Sequence, residues 1–435
     1  MNTSVPPAYV FPHAAVASPH YLATAAGLSV LQSGGNAVDA AVATNLVLAV
    51  VFPHGCGLGG DLFAMVYAEG KVHGLNSSGR LPKAAVLPAD GRVPVRGIGS
   101  ATVPGAVAGW LALLERFGTR SVGDLAKPAI RLASEGYWPS PNLERALERS
   151  REVLQDDPQL SQIFLSGGKI TNPALAEVLE DLPNFYEGPA AKNAPAPFSP
   201  EDFASHEAEW VDPPSTPFAD VQVYEMPPNS RGYLALEAIE RLGTVTALDE
   251  NDPEFHLQLI RSFDEAAPEG DTVYLCVHDE NGMAVSLNES NYMGFGSGAS
   301  IPGTGIHLHN RGAYCTPETY KPGERPVHTL SPAMALKDGK PKLVFGTMGG
   351  EAQIQIHLQL LARIFLLKQD PAVALEAPRW IKQMGALVAE EGLPEIGARV
   401  IPRSDAAGHA HVILSTDKGL AAASDPRTDG LAAGY

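Results

Sequence analysis

The sequence predicts an α+β fold in which sheets are covered by helices, and three observations carry that prediction. Residues 37–51 read as a helix that is apolar nearly all round, which places it in a core. Residues 272–277 and 283–287 alternate like strands and flank Asn281-Gly282, the strongest short signal for a hairpin. Two further strand pairs follow, 331–336 with 341–345 and 411–415 with 419–423. Such pairs expose an apolar face that helices can cover.

The remaining elements follow in chain order. Residues 23–32 read as a helix ended by Gly34-Gly35. The 37–51 helix stops at Pro53. A glycine-rich loop, 55–60, leads into a strand over 62–67. Residues 104–117 and 121–135 have the spacing of amphipathic helices, and 145–154 and 174–182 that of polar, peripheral ones. Residues 193–217 are rich in proline and acid and read as a surface excursion. Residues 354–367 read as a helix. There is no internal repeat and no low-complexity tract.

Composition narrows the function. The chain has 435 residues, 45% hydrophobic and 18% charged, the profile of a soluble globular protein. Its net charge is −18 and its pI about 5.1, so phosphate backbones are repelled and nucleic acid is not an expected partner. Three cysteines, Cys56, Cys276 and Cys315, fit a reducing cytoplasm better than a disulfide framework. The first residues lack a basic region followed by an apolar core, so no signal peptide is expected. The longest apolar stretch, 40–52, is too short to span a bilayer, and no membrane partner is expected.

Two glycine loops compete for functional meaning. Residues 55–60 satisfy G-x-G-x-x-G, but a helix precedes them and a strand follows. That is the reverse of a dinucleotide site, and a tight packing turn is the better reading. Gly346-Thr347-Met348-Gly349-Gly350 lies between a strand and a helix. That position suits backbone N–H groups aimed at developing negative charge, although most strand-to-helix glycine turns are structural and a plain turn is the commoner reading.

Taken together, the motifs resemble the γ-glutamyltransferase family. GGNAVDAAVA at 34–43 and GCGLGGDLF at 55–63 are similar to its large-subunit signature. GDTVYLCVHDENGMAVSL at 270–287 resembles the start of its small subunit. FGSG at 295–298, RPVHTLSP at 325–332, GTMGGEAQ at 346–353 and DPRTDG at 425–430 follow in family order, so the resemblance covers nearly the whole chain.

The resemblance implies a four-layer αββα sandwich of the N-terminal-nucleophile hydrolase type. It implies self-cleavage between Asp271 and Thr272 into a large-subunit region, 1–271, and a small-subunit region, 272–435, that stay together as one folded unit. It also assigns roles: Thr272 as nucleophile, Ser290 as its hydroxyl partner, Gly349 and Gly350 as the oxyanion pair, and His328 and Thr329 as contacts to a substrate carboxylate. The residue chemistry is consistent. An N-terminal threonine carries its own base, an α-amine of pKa about 7.7–8.0, which exists only once the preceding bond is cut.

Departures from the family pattern bear on substrate. The family's carboxylate-gripping arginine falls at Ser78, with Arg80 two residues on, and its amine-binding aspartate falls at Tyr314. Both charge-assisted contacts to a free γ-glutamyl head group are thereby lost. GDTVYLCV, NRG and RPVHT are more similar to the oxamate amidohydrolase-like branch, and Arg311 of the NRG could pair with a substrate carboxylate. Residues 310–326 are short where relatives carry a lid, which favours water over an acceptor amine. Residues 255–270 and the segment after Trp380 are also compressed, which bears on whether the cut occurs.

The expectation is a cytoplasmic threonine amidohydrolase, without metal or other cofactor, acting on a small-molecule amide. Its partners are that substrate and its own second fragment, with a homodimer left open. The rivals are γ-glutamyl transfer to an amino acid or peptide, a non-processing binding protein on the same fold, and a metalloenzyme built on His307, His309 and His278.

Overall fold

In the computed structural model, residues 5–263, 271–350, 352–383 and 386–435 are described. The predicted buried helix is Ala37–Val51, and every one of its residues is buried. Its start is fixed by a capping box: Asn36 accepts the Asp39 N–H, and the Asp39 carboxylate accepts the Asn36 N–H.

Two antiparallel seven-stranded sheets lie face to face. One has the order Leu431–Gly434, Ala15–Ser18, Asp271–His278, Ala284–Tyr292, Asp61–Ala68, Lys71–Ser77, Glu209–Val211. The other has the order Tyr9–Phe11, Gly419–Ser424, Ala410–Thr416, Lys340–Thr347, Ala333–Lys337, Val221–Tyr224, Ser215–Phe218. Strand alternation divides the apolar residues into three layers. Val273, Leu275 and Val277 pack outward on the Ala37–Val51 helix. Tyr274 and Cys276 pack inward, against Met334, Val344 and Ile413 of the facing sheet. Leu343, Phe345 and Val412 meet the helices Tyr233–Leu242, Pro253–Arg261 and Ala352–Leu361. The order helix, sheet, sheet, helix is the expected αββα sandwich.

The sheets approach closely where the nucleophile candidate lies. A Cβ on Gly346 would stand 2.4 Å from the Tyr274 ring, so glycine is required for this contact.

Several elements differ from the sequence reading. Residues 193–217 are not only a surface excursion: Glu209–Val211 closes one edge of the first sheet and Ser215–Phe218 one edge of the second. Three- and four-residue edge strands are too short for their alternation to stand out. The 145–154 helix is two helices, Pro141–Arg149 and Arg151–Gln155, and the 354–367 helix gives way to a wider π turn over Ala362–Leu366. The small sheet of Trp380–Gln383, Ala386–Glu390 and Arg399–Ile401 was not foreseen. Of the compressed segment before the cleavage point, residues 264–270 lie outside the described residues.

Burial leaves a titratable signature. It pushes His54 and His328 down to about 3, and His307 and His409 down to about 4. The unfolded chain takes up protons at these groups near pH 6.5, where the folded chain does not. Their stabilisation is therefore complete above that pH and is lost as pH falls toward 4. Glu289, pushed up to about 8 by burial, works in the opposite sense but is one group against several. The melting temperature is expected to fall steadily between pH 7 and pH 5. A calorimetric series that is flat over this range would contradict the assignment of neutral buried histidines.

Candidate active site

Thr272 is buried near the start of the Asp271–His278 strand, in the middle of the first sheet. Asp271 pairs with Tyr292 and Val273 with Glu289, so the ladder slips at Thr272. Such a bulge turns a side chain out of the regular pleat. Here the Thr272 hydroxyl donates to Ser290 Oγ at 3.2 Å. Ser290 Oγ also accepts the Tyr292 N–H at 2.8 Å, which fixes its position. Tyr292 itself has φ of 75°, a conformation that non-glycine residues rarely adopt.

The strand Lys340–Thr347 ends beside this pair. Asn288 Nδ2 donates to the Val273 carbonyl at 3.3 Å and to the Thr347 carbonyl at 3.1 Å, tying the two sheets together. Beyond Thr347 the chain turns through Gly349 and Gly350, with φ of 134° and 57°. The Gly349 carbonyl accepts the Ala352 N–H and the Gly350 carbonyl accepts the Gln353 N–H, which starts the Ala352–Leu361 helix. A peptide carbonyl and its amide proton point in opposite directions. The Gly350 N–H is therefore aimed away from that helix, and neither glycine N–H donates to another described residue. The turn can present N–H groups to an anion, with the helix N-terminus behind it.

Arg311 is buried, with its guanidinium carbon 4.1 Å from the centre of the Tyr292 ring and Nη2 3.4 Å from Thr329 Oγ1. The structure thus joins Thr272, Ser290, Tyr292, Arg311 and Thr329 through consecutive contacts. Tyr314, where the family pattern has an aspartate, lies edge-on to Tyr292 and receives a hydrogen bond from Arg231 at 3.0 Å.

His328 and Arg80 are placed differently from the sequence reading. His328 is fully buried, with Nε2 3.1 Å from Asp61 Oδ2, while its Nδ1 accepts the Leu330 N–H. Those partners require a neutral ring with its proton on Nε2, in agreement with a pKa that burial, and then Arg311, lower to about 3. The ring packs against Phe63, with its centroid 4.9 Å away. The Arg80 guanidinium lies at the surface between the Gly323 carbonyl and Glu209, half exposed, and is not brought to the Thr272 group. Ser78 is buried in a polar knot with Asn76 and Asn229.

Asp61 was not singled out in the sequence. Its carboxylate accepts the Gly79 N–H at 2.9 Å and the His328 Nε2–H, with His309 Nδ1 at 3.5 Å. Burial alone would raise its pKa, but His309, His328 and the Gly79 N–H together draw it down to about 2. The signal was there: an acid between Gly60 and an apolar strand has no reason to be buried unless it holds something. The preceding glycines admit the backbone. A Cβ on Gly59 would stand 2.0 Å from the His307 carbonyl oxygen, and one on Gly60 2.8 Å from that of Ser290. Residues 55–60 therefore serve close packing, the second of the two readings.

The histidines of the metal reading are engaged separately. His307 Nε2 meets the Pro53 carbonyl, His309 Nε2 meets Thr102, and His278 Nδ1 meets the Asp279 carbonyl. Among the described residues no three His, Cys, Asp or Glu side chains converge as a metal site. No described helix is long and apolar enough to cross a membrane.

The family model described as Gamma-glutamyltranspeptidase matches residues 23–266 and 247–435. The glutathione hydrolase-like YwrD proenzyme of Bacillus subtilis (strain 168) is 34% identical, over 96% of this chain and 98% of its own. That alignment runs over 513 positions, more than this chain has residues, so parts of the relative stand against gaps. The oxamate amidohydrolase proenzyme of Klebsiella pneumoniae subsp. pneumoniae is 30% identical over 97% of this chain and 98% of its own. Among solved structures, the cephalosporin acylase from Bacillus halodurans superposes with a TM-score of 0.90 at 30% identity, covering 99% of this chain and 97% of that one.

The Asp61–His328 contact yields a stability prediction. In Asp61→Asn the new amide must set either its NH2 against His328 Nε2–H or against the Gly79 N–H. Switching the imidazole tautomer instead sets Nδ1–H against the Leu330 N–H. One buried donor is left unsatisfied, so stability should fall by roughly 1–3 kcal/mol. Urea unfolding measures this, and an unchanged midpoint would contradict the pairing of Asp61 with both buried donors.

Proposed function

This chain belongs to the gamma-glutamyltranspeptidase family, and from that premise we propose that it is a self-processing threonine amidohydrolase whose nucleophile is Thr272. The observation that carries the proposal is the Thr272–Ser290 hydroxyl pair, held at a bulge beside a two-glycine turn whose N–H groups are available. As a member of this family the chain is an enzyme of the γ-glutamyltransferase-like type.

The chemistry has two stages. In the uncut chain Thr272 Oγ attacks the Asp271 carbonyl carbon, passing its proton toward Ser290. The amide becomes an ester as the Thr272 nitrogen leaves and takes up a proton. Water then hydrolyses the ester, leaving Asp271 with a new carboxylate and Thr272 with a free amine. In the second stage that amine accepts the hydroxyl proton as Oγ attacks a substrate amide. The Gly349 and Gly350 N–H groups receive the oxyanion. The Thr272 ammonium passes that proton to the substrate nitrogen, which leaves as ammonia or an amine, and water then hydrolyses the acyl ester on Thr272 to release the acid and restore the hydroxyl.

Arg311 and Thr329 provide for a substrate carboxylate, Arg311 by charge and Thr329 by its hydroxyl. With Tyr314 in place of an aspartate, nothing described there neutralises a substrate ammonium. The preferred acyl group is therefore a small carboxylate-bearing one, oxamate-like, rather than a free γ-glutamyl group. Its three free cysteines, Cys56, Cys276 and Cys315, fit a reducing compartment, and the enzyme would act in the cytoplasm.

The purified protein should run as two fragments under denaturing conditions, with Thr272 as the N-terminal residue of the smaller. Thr272→Ala should remain a single 45.8 kDa chain. An uncut wild-type protein by intact mass would sink the proposal. In a panel of oxamate, glutaryl-p-nitroanilide and γ-glutamyl-p-nitroanilide, the first two should be hydrolysed faster than the third. Added glycylglycine should not accelerate turnover, whereas acceleration would establish transfer.

A further inference from the structure

The turn at Gly349-Gly350 leaves the second sheet without a side chain to anchor it, so its position must be set by its neighbours. The nearest is the segment 407–410. Thr347 pairs with Ala410, and the His409 carbonyl accepts both the Met348 N–H at 3.0 Å and the Thr347 hydroxyl at 2.9 Å. A Cβ on Gly408, whose φ is 70°, would stand 2.5 Å from the Met348 carbonyl oxygen. Segment and turn are in backbone contact.

What holds the segment is a buried charge cluster. Arg379 Nη1 donates to the Gly408 carbonyl at 2.8 Å and to the Ala407 carbonyl at 3.3 Å. Its Nη2 pairs with Asp425, and the same Asp425 oxygen accepts the Ala410 N–H at 2.9 Å. Asp425 Oδ1 is held by the backbone and side chain of Arg427, and Arg427 reaches on to Glu390. Two arginines and two carboxylates balance, all of them buried. One guanidinium and one carboxylate thus grip the segment at both ends, over Ala407–Gly408 and at Ala410, leaving the His409 carbonyl between them to receive the turn.

We propose that Arg379 and Asp425 form a positioning clamp for the Gly349–Gly350 turn, transmitted through the backbone of 407–410. The proposal rests on reading that turn as the oxyanion site. Neither residue touches the substrate. Their effect is to fix where two N–H groups point, and it is felt in the transition state rather than in binding. Lysine at 379 keeps the charge but cannot span two carbonyls and a carboxylate, because an ammonium lacks the planar fork.

The test uses the full-length, processed enzyme and whichever amide of the panel it hydrolyses fastest. Arg379→Lys and Gly408→Ala, the second leaving every charge in place, should each lower kcat by roughly 10- to 100-fold while KM moves less than about 3-fold. Arg363→Lys serves as the control. Arg363 is also a buried arginine, paired with Glu250, but it makes no contact with 407–410. It should lower the melting temperature and leave kcat within about 2-fold of wild type at an assay temperature where all variants are folded. If Arg379→Lys fails to fold, Gly408→Ala carries the test. Unchanged kcat in the folded clamp variants, or an equal fall in Arg363→Lys, would overturn the clamp. Gly350→Ala in the same series separates the two claims. If it leaves kcat unchanged the oxyanion reading itself fails, and if it alone lowers kcat only the clamp fails.

Discussion

The site depends on one constraint: the strands that carry Thr272 and Ser290 are buried on both faces. All nine residues of Ala284–Tyr292 are buried, as is Thr272. A polar atom left without a protein partner in such a place is costly, because water does not supply one. The Thr272 and Ser290 hydroxyls and the Tyr292 N–H satisfy one another, and the Asn288 side-chain NH2 serves the Val273 and Thr347 carbonyls of the two facing sheets. The geometry that chemistry would use is thus the geometry that folding already demands. An exposed threonine could turn freely, whereas this one is fixed by the same bonds that close the ladder.

Glycine makes that burial achievable. Residues 55–60 pass so close to the ends of the neighbouring strands that side chains at Gly59 and Gly60 would collide with carbonyl oxygens. Gly346 lets the second sheet lie on the Tyr274 ring. Once the backbones are this close, buried charges can bridge them at hydrogen-bond length. Asp61 then links the strand start to Gly79, His328 and His309, while Asp425 and Arg379 link the far side of the second sheet. Each charge is costly unless fully paired, so each also limits how far its segment can move.

Much of this was legible because it follows simple periodicity. The Ala37–Val51 helix, the hairpin across Asn281-Gly282 and the pairs ending at Thr347 and Ser424 were all readable from alternation or from uniform apolarity. What escaped was short or non-local. Tyr9–Phe11, Glu209–Val211 and Leu431–Gly434 are edge strands of three or four residues, defined by the neighbour they join. Arg80 and His328 show the same limit for side chains. Motif position brought both near the substrate, but Arg80 had an acid at the surface to pair with, and His328 had a buried carboxylate behind it. No linear pattern records those partners, because Glu209 and Asp61 are far away in sequence.

The topology also determines what a cut before Thr272 would do. Residues up to 263 supply Ala15–Ser18 and Asp61–Ala68 to the first sheet, and these flank the Asp271–His278 and Ala284–Tyr292 pair on both sides. In the second sheet Tyr9–Phe11 pairs with Gly419–Ser424, and Val221–Tyr224 pairs with Ala333–Lys337. Leu431–Gly434, nearly the last residues of the chain, pairs with Ala15–Ser18, nearly the first. Fragments on either side of the cut would therefore be interleaved in both sheets. Separating them would break five ladders and expose the layer between the sheets, so the association of the fragments follows from strand order rather than from a docking surface. Cleavage would free an amine at Thr272 while removing one covalent link from a sheet that its neighbours already hold in place. That is how a buried nucleophile can be unmasked without the fold having to rearrange.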